Sequence, residues 1–249
     1  MKYMGSKRRL ASQILKTFQK YAPGRTVLFE PFCGGANLTI AALKANYLCN
    51  PSDCNPYLIA YLRALAMGWE PPRSISEQDY RSIRDTPENY PRELVGYVGF
   101  ALSYGGKWFG GWCRDKQGKR NYCKESWQAA KKEQAILLGQ IFHCQSYDAV
   151  KIPAAQQPTS LIYADPPYAG TTAYRAKFNS GAFWEWAAMQ PVPVFVSEYT
   201  APPGWRPVFQ TVLSSSLTSD TGALIAVEKI FLHNFWYKSC AQSDLPPGW

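Results

Sequence analysis

The ten residues LIYADPPYAG, 161–170, place a carboxylate, two prolines and an aromatic ring at the end of an apolar run. Proline has no backbone N–H to donate to a sheet, so the strand ends there and Asp165 meets solvent or a ligand. The segment is either an ordinary strand-terminating turn or a rigid platform. A platform would hold the Asp165 carboxylate, the carbonyls of Pro166 and Pro167, and the ring of Tyr168 at fixed places.

A second stretch whose residues could bind a ligand is EPFCGGAN, residues 30–37, which lies between a short buried strand and a helix. Glycine in such a turn lets the backbone approach a bound nucleotide closely. Asp53 follows Gly34 by nineteen positions and ends the next strand, where an acid takes the ribose hydroxyls of a nucleotide cofactor. The alternative is a tight turn with a helix-capping aspartate. The full G-x-G-x-x-G pattern is absent, so a nucleoside cofactor without phosphates fits better than a dinucleotide.

A third stretch, residues 104–124, combines basic and aromatic side chains with glycine turn signals. Its cations stand against a single acid, Asp115, and are Lys107, Arg114, Lys116, Lys119, Arg120 and Lys124. Its interleaved rings are Trp108, Phe109, Trp112 and Tyr122. We expect a glycine-rich hairpin that enters a DNA groove and contacts phosphates. A solvated basic loop is the alternative.

The composition is that of a folded, basic protein. With 249 residues, 46% of them hydrophobic and 18% charged, the chain suits one domain with a substantial insertion, or two small domains. A net charge of +9 suggests a polyanionic partner, with nucleic acid as the first candidate and an anionic membrane as the second. The alternative is a basic soluble enzyme without such a partner.

The cysteine and histidine content argues against metal sites and disulfides. The seven cysteines form no C-x-x-C pair and only two histidines occur, so neither a zinc site nor a disulfide framework is indicated. Reduced thiols imply a cytoplasmic setting. No apolar run is long enough to predict a membrane-spanning helix.

The elements that must position these residues alternate between strand and helix. The opening pattern predicts, in order, a helix over 6–21, a strand over 26–30, a helix over 38–45, a strand over 47–51 and a helix over 57–67. Such alternation is typical of a doubly wound α/β sheet. The later pattern predicts a helix over 126–141, strands over 161–164 and 192–197, and a hairpin over 205–212 and 224–232.

Periodicity is poor between Gly68 and about Tyr122, where proline, glycine, arginine and aromatic residues are frequent. We interpret this stretch as an insertion. The predicted organisation is an α/β domain formed by residues 1–67 and 126–240, an insertion over 68–125, and a loose tail over 241–249.

The motifs MGSK, EPFCGGA, SDCNP and DPPY, in that order, resemble the Dam-like family of DNA adenine methyltransferases. The resemblance implies a Rossmann-like methyltransferase fold, with a mixed and mainly parallel sheet, helices on both faces and an inserted target-recognition subdomain. It also implies S-adenosyl-L-methionine as cofactor and the exocyclic amine of adenine in double-stranded DNA as acceptor. Carried over from the family, the catalytic motif is Asp165, Pro166, Pro167 and Tyr168, and the cofactor contacts are Tyr3, Lys7, Phe32, Gly34, Asp53 and Asp165.

The core C-R-D-K-Q-G of the basic stretch is loosely similar to the family's recognition hairpin, which implies that Arg114 reads a base edge such as that of guanine.

Two departures from the family pattern stand out. Ala36 replaces the second glycine of the F-x-G-x-G turn, which narrows the loop. The Asn-x-Pro-x-Gly segment that usually follows the recognition hairpin is missing, so target specificity is not carried over. Structural alternatives also stand: Tyr3 would pack on a helix and Lys7 would be a solvated side chain.

In the mechanism that the family implies, Asp165 and the Pro166 carbonyl each accept one hydrogen of the amino group. Two fixed acceptors aim the nitrogen lone pair at the methyl group and stabilise the developing positive charge. Tyr168 stacks on an adenine flipped out of the duplex. Arg175 and Lys177 would grip the neighbouring phosphate, or be solvated.

Other functions stay open at this stage. The same corner would serve methylation of the cytosine amine, although such enzymes more often have Ser before Pro-Pro-Tyr. The chain could be a binding protein that kept the fold and lost turnover. RNA or protein could be the substrate, which would leave the basic stretch without an obvious purpose. No metal and no membrane partner is expected.

Overall fold

The structure, a computed structural model, describes residues 1–115, 117, 119–167, 178–214 and 225–237. Its strands are β1 (Val27–Glu30), β2 (Leu48–Asp53), β3 (His143–Cys144), β4 (Ser160–Ala164), β5 (Val194–Glu198), β6 (Trp205–Ser214) and β7 (Ile225–His233). They form one seven-stranded sheet in the order β3-β2-β1-β4-β5-β7-β6. Strand β4 is parallel to β1 and β5, and β2 to β3, whereas β7 is antiparallel to β5 and β6. This mixed, mainly parallel sheet confirms the predicted Rossmann-like α/β class.

Helices alternate with the strands and also fill the stretch predicted as an insertion. They are α1 (Ala11–Tyr21), α2 (Asn37–Lys44), α3 (Pro56–Ala66), α4 (Glu77–Asp85), α5 (Arg92–Gly96), α6 (Tyr122–Leu137) and α7 (Ser180–Ala188). A π-helical turn, Tyr97–Ala101, continues α5. Among the described residues, no helix is both long and apolar enough to span a membrane.

The chain divides into two compact units. One comprises Met1–Ala11 and Glu30–Val150, and the other comprises Ser12–Phe29 and Lys151–Trp249. The functional division into a catalytic domain, a recognition insertion and a tail stays a prediction.

The core of the first unit is built on α3. Asn55 caps this helix by accepting hydrogen bonds from the N–H groups of its first turn, and Pro56 occupies the first position. Apolar side chains at helical spacing, Leu58, Leu62 and Leu65, are almost fully buried. Helix α5 packs so closely on α3 that a Cβ on Gly96 would lie 2.1 Å from the Tyr57 carbonyl oxygen. Glycine is therefore required at that contact.

The predicted insertion is a helical layer of the first unit. Tyr80 and Ile83 of α4 and Val95 and Val98 of the next helical segment belong to the same buried cluster as α3. Helix α4 starts with a capping box between Ser76 and its third helical residue. The sequence did not reveal these helices: α4 and α5 are both short, and most side chains of α4 are exposed.

The core of the second unit surrounds β4, all five residues of which are buried. The ring of Phe18 on α1 is fully buried and lies 5.8 Å from the ring of Tyr163 and 4.8 Å from that of Phe195. The late hairpin is confirmed, because β6 and β7 pair antiparallel along their length.

Two helix boundaries differ from the prediction. The N-terminal helix is split into a 3-10 turn, Lys7–Arg9, and α1; Ser6 caps the 3-10 turn by accepting from the Arg8 N–H at 3.3 Å. Helix α6 begins at Tyr122, where Asn121 caps it, and ends at Leu137. Helix α7 was not predicted.

Candidate active site

The glycine turn after β1 is fixed to the end of β2 by backbone hydrogen bonds. The Cys33 N–H donates to the Ser52 carbonyl at 2.9 Å, and the Ala36 N–H donates to the Cys33 carbonyl at 2.8 Å. Gly34 has a φ of +47° and Ala36 a φ of +54°, both in the left-handed region. This conformation explains glycine at the first position, whereas the Ala36 methyl costs about 1–2 kcal/mol of backbone strain.

Asp53 holds this turn through its side chain. Its Oδ2 accepts the Gly34 N–H at 3.1 Å and its Oδ1 accepts the Asn55 N–H at 2.9 Å. Burial raises the pKa of the Asp53 carboxyl above its ordinary value, while hydrogen bonds from backbone N–H groups, Asn55 first, oppose that shift. The α3 cap is Asn55 and not Asp53, so the helix-capping alternative for Asp53 is wrong.

Tyr3 covers the glycine turn with its aromatic ring. A Cβ on Gly34 would lie 2.7 Å from Cε1 of Tyr3, and a Cβ on Gly35 would lie 2.8 Å from its Cβ. On another side, the ring centroid lies 5.4 Å from that of Phe100. Phe100 belongs to the π-helical turn after α5, so Tyr3 packs both on the glycine turn and on a helical segment, as its structural alternative expects. Both glycines are required for its side chain to fit there.

Lys7 lies in the same N-terminal segment and is 8% exposed. It begins the 3-10 turn, and its carbonyl accepts the Leu10 N–H at 2.9 Å. The alternative that Lys7 is a solvated side chain is therefore wrong.

Phe32 completes the predicted cofactor set in the first unit. It is half-buried, and its ring stacks on that of Tyr147 with centroids 5.6 Å apart. Tyr3, Phe32, Gly34 and Asp53 thus lie on or beside one turn.

The acid–proline corner belongs to the second unit. Asp165 follows the last residue of β4 directly and is half-buried; Pro166 is buried and Pro167 half-buried. Tyr168, Arg175 and Lys177 lie outside the described residues. The prolines end the buried strand as predicted, and the acid leaves it partly exposed.

Sequence reasoning assigned no role to the polar residues at the end of β5. The Ser197 hydroxyl is 2.7 Å from that of Tyr163, and Glu198, 6% exposed, accepts the Tyr199 N–H at 2.8 Å. In the sequence, the signal for this pair of polar residues is an acid, Glu198, directly at the end of an apolar run.

The predicted DNA-binding cations fall into separate groups. Arg114 pairs with Glu77 of α4 at 3.3 Å, and Arg120 pairs with Glu125 of α6 at 2.7 Å. Lys107 and Lys119 are exposed. Lys116 lies outside the described residues.

The described part of the stretch that carries these cations is a loop closed by backbone hydrogen bonds from Tyr104 to Gly111 and from Cys113 to Leu102, and the longer hairpin stays a prediction. Among the described residues of this stretch, Trp112 forms one isolated antiparallel bridge with Ser103. Asp115 instead organises a turn by accepting the N–H groups of Gln117, Lys119 and Arg120. These N–H groups therefore bond to a carboxylate instead of to the backbone of a neighbouring strand.

The aromatic residues of the loop pack inward. Trp108 stacks on Tyr57 with centroids 5.5 Å apart, and Phe109 contacts Tyr80 at 5.4 Å. Together with Trp112 they pack against the buried cluster of the first unit. These rings hold the loop in place, so its cations are the groups left for a ligand.

A Rossmann-like sheet with a glycine turn after its first strand and an acid at the end of its second strand is typical of nucleotide-binding folds. Residues 3–93 match the family model of the D12 class N6 adenine-specific DNA methyltransferases. The match spans 91 of the 249 residues and confirms that this part of the chain is similar to the DNA adenine methyltransferases. It includes Tyr3, Lys7, Phe32, Gly34 and Asp53. A comparison with curated proteins finds no match.

Proposed function

We propose that the chain transfers the methyl group of S-adenosyl-L-methionine to the exocyclic amine of an adenine flipped out of double-stranded DNA. The observation that carries this proposal is the hydrogen bond between the Gly34 N–H and Asp53, inside the segment that matches the D12 class. The acid–proline corner after β4 supplies the acceptors that the reaction needs.

The donor set of the glycine turn fits a nucleoside cofactor. The Gly34 N–H is already bonded to Asp53, so it is not available to hold a phosphate. Each carboxylate oxygen of Asp53 accepts one of the two bonds from Gly34 and Asn55. A carboxylate has about four lone-pair sites, and the Cys54 N–H also bonds to this one, so capacity remains for a ribose hydroxyl. S-adenosyl-L-methionine carries such a ribose and no phosphate.

The N-terminal segment suits the methionine part of the same cofactor. The Tyr3 ring offers an aromatic face to a sulfonium cation, an attraction of roughly 0.5–2 kcal/mol. The side chain of Lys7, a residue that is 8% exposed, carries a positive charge that attracts an anionic ligand group. The carboxylate of the cofactor is such a group.

At the corner after β4, Asp165 accepts one amino hydrogen of adenine and the Pro166 carbonyl accepts the other. The bound cofactor supplies an electrophilic methyl group. Pro167 fixes the Pro166 carbonyl, so little reorganisation accompanies the reaction. Asp165 also stabilises the positive charge that develops on nitrogen. Stacking on Tyr168 and the two hydrogen bonds offset the few kcal/mol that base flipping costs.

The chemical identity of the product tests this proposal. Duplex DNA incubated with the enzyme and cofactor carrying a labelled methyl group is digested to nucleosides, which are then separated. We expect the label in N6-methyldeoxyadenosine. Label in N4-methylcytosine would establish the cytosine alternative, and cofactor binding without any labelled nucleoside would establish a silent binding protein.

A further inference from the structure

A groove in the first unit, outside the predicted cofactor site, carries three exposed cations. Its volume is about 460 Å³, and the start of α1, helix α2 and helix α6 form its walls. Arg8, Lys44 and Lys132 line it, together with Glu125, Glu133 and apolar side chains such as Ile40. The cations therefore come from three separate elements and converge on one open groove.

The acids of the groove are already engaged. Glu125 accepts two hydrogen bonds from the Arg120 guanidinium, at 2.9 and 2.7 Å. Glu133 pairs with the amino group of Met1. Within the described part of the chain, Arg8, Lys44 and Lys132 each lie farther than 4.0 Å from every carboxylate oxygen. The groove thus presents net positive charge to solvent.

The groove is continuous with the basic loop over residues 104–121. Glu125 lines the groove and at the same time binds Arg120 of the loop. Arg120 and Lys2 both lie over the ring of Tyr122, at 4.7 and 4.8 Å from its centroid. Cations of the loop and of the groove therefore follow one another along a single surface.

We propose that this groove binds the phosphodiester backbone of the DNA that flanks the methylated site. The inference rests on the proposed function, because it extends the contact with the same substrate. A row of phosphates matches cations that are spaced over several elements. Lysine and arginine side chains on a wall of small apolar residues can follow such a backbone without reading its sequence.

The test compares two triple variants with the same change in net charge. The groove variant is Arg8→Gln/Lys44→Gln/Lys132→Gln. The control, Lys16→Gln/Arg92→Gln/Lys151→Gln, removes three exposed cations that do not line the groove. Binding to a duplex of about 40 base pairs and to one of about 12 is measured at several salt concentrations.

For the groove variant, we expect binding to the long duplex to weaken about tenfold at about 0.1 M salt. We expect its salt dependence to become shallower by about 0.9 in log–log slope for each lost contact. The short duplex should be affected much less, and the control variant should retain the wild-type slope. Equal weakening of both triples, or equal loss on the short and long duplexes, would overturn the proposal.

Two further measurements separate this inference from the proposed function. Cofactor titration of the groove variant should match the wild type, because none of its three residues belongs to the glycine turn. If the wild-type enzyme labels adenine while the two triples bind DNA alike, the groove inference alone fails. If the wild type labels no adenine, the proposed function fails first. Loss of binding to anionic lipid vesicles with DNA binding unchanged would show that the groove serves a membrane surface instead.

Discussion

The backbone N–H of Gly34 donates a 3.1 Å hydrogen bond to Oδ2 of Asp53 and so ties the glycine turn after β1 to the end of β2. The spacing of nineteen residues between them spans the helix and strand that bring the two together. One carboxylate thereby shapes the turn and, in the proposed function, also binds the ribose.

Replacing Asp53 with Asn should weaken cofactor binding about 10- to 100-fold. The amide has one acceptor oxygen for the N–H groups of Gly34 and Asn55, and a hydrogen bond to a charged group contributes roughly 1.5–3 kcal/mol. Titration calorimetry with S-adenosyl-L-methionine measures the effect. Asp85→Asn, which removes a surface carboxylate paired with Arg84, is the control. Wild-type affinity in the Asp53 variant would contradict the assignment.

The same carboxylate predicts a pH dependence. The pKa of Asp53 is raised by burial, and hydroxyl donors favour the charged form, so cofactor affinity should rise with pH through this pKa and then level off. The contribution of Asp53 to the free energy of unfolding runs the other way. It is greatest below the ordinary pKa of 3.8 and falls as pH rises toward the folded value. Calorimetry and denaturant unfolding from about pH 4 to pH 8 measure both effects, and Asp53→Asn should abolish both.

Replacing Gly34 with Ala should destabilise the protein by about 3 kcal/mol. The added Cβ would lie 2.7 Å from the Tyr3 ring, and the positive φ adds about 1–2 kcal/mol of strain. Gly68→Ala is the matched control, since Gly68 also has a positive φ but nothing within 4 Å of its Cβ. In denaturant unfolding, the free energy of unfolding of the control should fall only by the amount that corresponds to backbone strain. Equal losses in the two variants would show that Tyr3 does not press on the turn.

The elements that position the site could be predicted because their signals are local. Asn55 and Pro56 mark the start of α3, the apolar run before Asp165 marks β4, and the glycines after Glu30 mark the turn. Each of these works through backbone dihedrals or hydrogen bonds within a few residues. No tertiary information was needed to find them.

The loop and the α4–α5 layer could not be predicted because tertiary contacts decide them. Arg114 pairs with Glu77, which is 37 residues away, and no local pattern reveals that partner. Trp108 and Phe109 were expected on a hairpin that enters a DNA groove, yet they pack on the core. Composition cannot distinguish these two uses, because both need a large apolar ring.

Replacing Asp165 with Asn should lower the rate of methyl transfer about 100- to 1000-fold, as loss of one preorganised electrostatic contact typically does. The amide keeps the size of the side chain but not the charge that stabilises the developing cation. Cofactor affinity should change far less than the rate. Single-turnover transfer of a labelled methyl group to DNA separates chemistry from binding, and Asp148→Asn, at an exposed acid, is the control. An unchanged single-turnover rate would refute the proposed role of Asp165.

Replacing Glu77 with Gln should strengthen binding of DNA. Glu77 holds Arg114 at 3.3 Å, so its carboxylate competes with DNA for that guanidinium. An exposed ion pair contributes about 0.2–1 kcal/mol, so the gain should reach up to about fivefold. Glu88→Gln, at an exposed acid elsewhere in the same helical layer, changes the net charge equally. Fluorescence anisotropy at low salt measures both variants, and Arg114→Gln in the Glu77→Gln background should remove the gain. Equal gains from the Glu77 and Glu88 variants would mean that only net charge matters and that Arg114 does not contact DNA.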